Sequence, residues 1–136
     1  VITKHKDLFE AGDHGSTFGG NFLSTRAGIE VLDILDSYKQ SGMLDEALIY
    51  FEEKLKALCL AYPQMFESVE GLGLMRGLRC KDSDTLANII KKAFEHGVLV
   101  LKAGKNTLRL LPPLTISKEE MDEGIKRLER AIQALL

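Results

Sequence analysis

Gly12, Gly15, Gly19 and Gly20 fall within nine residues of one another. No helix or strand tolerates that density, because glycine loses more backbone freedom on ordering than any other residue. Residues 12–21 (Gly-Asp-His-Gly-Ser-Thr-Phe-Gly-Gly-Asn) therefore read as a loop with special backbone angles. Immediately after it, Leu23, Ala27, Val31, Ile34, Leu35 and Tyr38 recur at helical spacing. A long helix is predicted there, with Gly42 as its stop. This segment is a glycine-rich loop feeding a helix.

That junction allows two readings. Amides converging at a helix start favour an anion, and Ser16 and Thr17 add hydroxyl donors. Against this, no Gly-Lys-Ser/Thr ends the loop and no dinucleotide fingerprint follows a clear strand. The plain alternative is a tight structural turn with Asn21 as helix cap. His14 reads as an exposed loop residue satisfied by Asp13 or water. His5 and His96 read as surface residues. Asp13, His14 and Ser16 are too close in sequence to adopt triad geometry, and no nucleophile elbow surrounds Ser16. No His/Cys/carboxylate cluster has metal-ligand spacing, so no metal is expected.

Further on, Leu44, Leu48, Phe51, Leu55, Leu58 and Tyr62 form a second helical stripe. It turns Glu52, Glu53, Lys54 and Lys56 outward and closes at Pro63. From Ser68 the period changes to two: Leu72, Leu74, Arg76, Leu78 and Cys80 alternate with Gly71, Gly73, Met75, Gly77 and Arg79, predicting one or two short glycine-bearing strands. Asp82 or Ser83 caps a third helix with Leu86, Ile89, Ile90, Ala93 and Phe94 inward and Gly97 as its end. Residues 98–101 and 107–111 read as strands of a hairpin turning at 104–106, and Pro112-Pro113 ends the sheet. Ser117 and Glu120 form a capping box, followed by a stripe of Met121, Ile125, Leu128, Ile132 and Leu135. Residues 1–4 read as the tail of a strand and residues 7–10 as a helical turn. The sum is an α+β fold, a small antiparallel sheet with helices on one side.

Arg109 lies inside the apolar run Leu108-Arg109-Leu110-Leu111. A buried guanidinium needs a partner, and its planar fork suits a carboxylate. Period-two alternation equally permits it to face solvent. Arg76 and Arg79 read as solvated or structural. With 18 basic and 20 acidic residues the net charge is −2, which argues against nucleic-acid binding by phosphate neutralisation and against a polybasic membrane surface. No segment is apolar enough to span a bilayer. Cys59 and Cys80 are too few for a disulfide framework and read as reduced thiols of a cytoplasmic protein. The chain opens in mid-pattern on Val1, and its first Met is Met43. It is expected to be a piece of a longer polypeptide.

The loop at 12–21 resembles that of the class III pyridoxal-phosphate aminotransferases. The likeness continues in order through Val31-Leu32-Asp33, Gly71-Leu72-Gly73-Leu74-Met75-Arg76-Gly77, His96-Gly97-Val98-Leu99-Val100, Leu108-Arg109-Leu110-Leu111-Pro112-Pro113-Leu114 and Glu119-Glu120-Met121-Asp122-Glu123-Gly124. It implies the C-terminal domain of a fold type I pyridoxal-phosphate-dependent transferase. Residues 1–36 would be the end of the large cofactor-binding domain, and residues 37–136 the small C-terminal domain. It implies pyridoxal 5′-phosphate as cofactor, with Ser16 and Thr17 holding its phosphate in the active site of the other subunit of a homodimer. It implies Arg109 as anchor for the α-carboxylate of the substrate.

The reaction implied is amine transfer from N2-acetylornithine to 2-oxoglutarate, giving N-acetylglutamate 5-semialdehyde and glutamate in arginine biosynthesis. The sister activities on ornithine or 4-aminobutyrate are the alternatives. The Schiff-base lysine is expected upstream of Val1, so no catalytic residue is expected in this chain. Alone it would be an inactive folding and dimerisation module. Two positions depart from the family pattern: Phe22 stands where proline is usual, and Arg26 replaces a small residue.

Overall fold

A computed structural model describes Lys4, residues 8–10, Gly12, Asp13 and residues 15–136. The proposed strand tail at residues 1–4, His5 and His14 lie outside the described residues, Lys4 excepted. Residues 8–10 are not helical. The chain divides into two compact units, Val1–Tyr38 and Lys39–Leu136.

The first unit holds the glycine loop and most of α1 (Phe22–Gln40). None of the residues of α1 is buried. The helix predicted over Leu23, Ala27, Val31, Ile34, Leu35 and Tyr38 is present; Leu35 and Tyr38 are half-buried and the other four are exposed. The periodicity is real, but one helix and a loop are too small to enclose a core.

In the second unit, α2 (Met43–Ala61) leads into the hairpin β1 (Phe66–Leu72) and β2 (Met75–Cys80). Then follow α3 (Ser83–Glu95), the hairpin β3 (Leu101–Ala103) and β4 (Thr107–Leu110), and α4 (Lys118–Gln133). The sheet is antiparallel throughout, in the order β1-β2-β4-β3. The expected α+β architecture is the one observed. Leu78 and Leu108 point from the two central strands into a core with Leu55, Leu86, Ile89, Leu128 and Ile132, all fully buried. Each residue comes from an apolar stripe whose period matches its element, which is why the helices share one face of the sheet.

The ends follow local chemistry. Gly42, at φ 77°, separates α1 from α2. The Asp82 side chain accepts from the Thr85 amide at 2.7 Å to start α3. The capping box of Ser117 and Glu120 is complete. At the end of α3, Gly97 has φ 75°. The Gly97 amide donates to the Phe94 carbonyl and the Val98 amide to the Ala93 carbonyl, a Schellman closure.

That closure overturns the strand predicted at 98–101. Val98 is committed to the helix end, so pairing begins only at Leu101. The alternation over 72–80 is likewise broken by a turn at Gly73 and Leu74, and the first strand starts earlier, at Phe66. Phe94, expected in the core, is exposed, while Ile90 is half-buried. Pairing on β4 ends at Leu110, one residue before the predicted end.

Candidate active-site segments

The glycine loop is fastened by its own side chains. Ser16 Oγ accepts from the Gly19 amide at 2.9 Å, and a Cβ on Gly19 would lie 2.7 Å from that oxygen. Gly20 has φ 74°. Asn21 then caps α1: its Oδ1 accepts from the Ser24 amide at 3.0 Å, and its Nδ2 donates to the Phe18 carbonyl at 2.6 Å. The capping reading of Asn21 is therefore what the structure contains. It occupies part of the helix start, leaving the Phe22 and Leu23 amides ahead of it.

Thr17 is exposed, and its hydroxyl has no hydrogen bond among the described residues. An uncommitted hydroxyl on a tight glycine turn fits one side of a phosphate ester through neutral donors. Phe22 is the first helical residue, the position at which the proline implied by the family resemblance would cost least. Phenylalanine there removes no donor. Arg26 forms an ion pair with Glu30 at 3.1 Å.

Arg109 belongs to the other unit. Residues paired directly across antiparallel strands share a face. The register therefore lays out the sheet's helix-free face in rows. One row is Ser68, Arg79, Thr107 and Ala103, and the next is Glu70, Gly77, Arg109 and Leu101. Arg109 is half-buried. Its Nε is shielded from solvent and has no hydrogen-bond partner among the described residues. It lines an open cavity of about 390 Å³ together with Glu70, Leu72, Met75, Gly77 and Thr107. An orphaned, directional donor beside an open space fits a carboxylate brought from outside.

The neighbouring cations are already engaged. Arg76 donates through Nε to the Gly73 carbonyl at 2.9 Å and through Nη1 to the Gly71 carbonyl at 2.8 Å, and it pairs with Glu52 on α2. It ties the first hairpin turn to that helix. Arg79 contacts Glu70 at 3.4 Å and the Lys105 carbonyl at 3.1 Å. The structural reading of both arginines is the one found.

Sequence reasoning missed Glu70 and the row it shares with Arg109. The opposite charges of Glu70 and Arg79 were visible. Which residues stood side by side depended on a register that periodicity does not supply.

Ser16 and Thr17 lie together on the loop, in one unit, and Arg109 lies in the other. Among the described residues, no helix is long and apolar enough to cross a membrane.

Comparison with known proteins bears on these segments. A family model described as aminotransferase class-III matches residues 2–132. Acetylornithine aminotransferase of Wolinella succinogenes is 53% identical over 99% of this chain and 34% of that protein. Among solved structures, acetylornithine aminotransferase from Elizabethkingia anophelis is 30% identical, with TM-score 0.76, over 94% of this chain and 32% of that one. An ornithine aminotransferase from Toxoplasma gondii, reported with partial occupancy of PLP at its active site, is 28% identical. Its TM-score is 0.74, over 92% of this chain and 30% of that one. The chain thus spans about a third of the length of these relatives. By the extent of the family match, the chain belongs to the class-III aminotransferases.

Proposed function

We propose that this chain is the C-terminal part of a pyridoxal-phosphate-dependent aminotransferase that moves the amine of N2-acetylornithine to 2-oxoglutarate. In this reading the products are N-acetylglutamate 5-semialdehyde and glutamate, and the enzyme is a cytoplasmic homodimer of arginine biosynthesis. The observation that carries it is Arg109, a half-buried residue that lines an open cavity and whose shielded Nε has no partner among the described residues. The 53% identity to a relative named for acetylornithine supports the choice of donor.

The cofactor, when bound, supplies the electron sink that lets a proton leave the amine-bearing carbon. The Thr17 hydroxyl would donate to its phosphate in the partner subunit's site. Ser16, whose oxygen already accepts from Gly19, would hold the turn and keep its own proton free to donate. Arg109 would take the α-carboxylate of the amino acid or oxo acid through its planar fork. Two parallel charged hydrogen bonds fix the orientation as well as the affinity. Residues 1–36 would complete the large domain and residues 37–136 form the small one.

The deciding experiment is turnover by the full-length protein. Acetylornithine with 2-oxoglutarate should give glutamate faster than ornithine or 4-aminobutyrate at equal concentration. A preference for either of those amines would move the protein to a sister activity. Failure with all three would end the assignment of the amine donor to this group of substrates.

A further inference from the structure

Arg109 is not the only charged group on its row. Glu70 lies on the same face of the sheet, separated from it by Gly77 alone. Two strand spacings amount to roughly 10 Å between backbones, a gap that extended glutamate and arginine side chains can bridge. Gly77 puts no side chain between them. Both residues line the same cavity. A carboxylate so placed is the natural intramolecular partner for the orphaned guanidinium, yet the two are not paired.

Glu70 is held elsewhere. Its Oε1 accepts from the Ser68 hydroxyl at 2.7 Å and from Arg79 Nε at 3.4 Å. Ser68 and Arg79 are direct cross-strand neighbours on the adjacent row, so they pull Glu70 along the sheet and away from Arg109. Arg79 is itself fixed by the Lys105 carbonyl, in the turn between β3 and β4. There Lys105 and Asn106 both take left-handed backbone angles.

We infer that Arg79 is a positioning residue for carboxylate recognition: it sequesters Glu70 and so keeps Arg109 free for the substrate. This rests on the reading of Arg109 as the carboxylate anchor. Arg79 itself touches neither substrate nor cofactor in this scheme. It sets affinity by removing a competitor.

The test uses the full-length, cofactor-loaded protein. Arg79→Gln should raise the KM for 2-oxoglutarate roughly two- to sixfold with kcat unchanged, since an exposed competing ion pair would tie up that share of Arg109. The affinity for glutarate, an unreactive dicarboxylate followed by calorimetry, should fall by the same factor. Adding Glu70→Gln to Arg79→Gln should restore both values. Arg79→Lys, which keeps a cation beside Glu70, should stay near the parent.

If Arg79→Gln does not fold, Ser68→Ala removes the other tether and should shift KM in the same direction by a smaller factor. A parental KM in the variant that is read, or a rise that Glu70→Gln does not reverse, overturns the inference while Arg109→Lys still weakens binding. A parental KM in Arg109→Lys overturns instead the reading of Arg109 on which the inference stands.

Discussion

A methyl group of Thr107 occupies the space that a side chain at Gly77 would need: a Cβ there would collide with Thr107 Cγ2. Thr107 is buried, so it has little room to withdraw. The two residues sit on adjacent rows of the sheet's helix-free face, next to Arg109.

Gly77→Ala should therefore destabilise the protein through overpacking, by about 1–3 kcal/mol. The Gly77 backbone angle is not left-handed, so the cost is steric. Thr107→Ala in the same chain should return most of it. Urea unfolding midpoints of the single and double variants measure both effects, and an unshifted midpoint for Gly77→Ala would count against the close contact.

Arg109→Lys separates affinity from stability. An ammonium cannot reproduce a bidentate fork. The KM for 2-oxoglutarate should rise on the order of tenfold or more, given about 1.5–3 kcal/mol for a charged hydrogen bond. The substitution also removes the shielded, unpartnered Nε, whose burial is unfavourable. Thermal stability should hold or increase while affinity falls. A loss of both would mean that Arg109 is a structural residue.

Thr17→Val keeps the shape of the loop and deletes its uncommitted hydroxyl. In the full-length protein, pyridoxal 5′-phosphate should bind on the order of 10- to 100-fold more weakly, the range of one hydrogen bond to a charged group. Equilibrium dialysis followed by cofactor absorbance reads this without relying on turnover. Retention of full affinity would place the phosphate elsewhere.

The two thiols should behave differently. Burial, and then the Asp82 carboxylate, push the Cys80 thiol from 9.0 up to about 11. Burial also raises Cys59, which is partly exposed. Native protein treated with iodoacetamide at mildly alkaline pH should label slowly at Cys59, and at Cys80 only after unfolding. Because the Cys80 pKa is raised on folding, its contribution to stability is complete below pH 9.0 and is lost as pH climbs toward about 11. Cys80→Ala should flatten that alkaline decline in a series of thermal scans. An unchanged decline would assign it to other groups.

Much of the second unit was legible because its signals are local. The Ser117–Glu120 box, the Asp82 cap, the stop at Gly97 and the stripes of α2 and α4 each involve residues within a few turns of one another, and each is present. The strand predicted from Val98 failed at the same scale. A helix closure and a strand start competed for one amide, and the amide went to Ala93.

The stripe of α1 has helical spacing, yet none of its residues is buried. Whether such a stripe is covered depends on a surface to cover it, which no pattern within the helix encodes. Thr17 and Arg109 stood out as chemistry placed where packing gave no reason for it, one on a glycine turn and one inside an apolar strand.

By itself, then, the amino-acid sequence determined most element types and most of their ends, since these depend on spacing along the chain, and its motifs carried the family resemblance. The tertiary structure decided that Glu70, Gly77 and Arg109 share one row, that Thr107 fills the space beside Gly77, and that Arg79 draws Glu70 aside. Those relationships join strands up to some forty residues apart in the chain. They arise from hydrogen-bond register between strands, in which a slip of one residue would turn every one of these side chains to the opposite face.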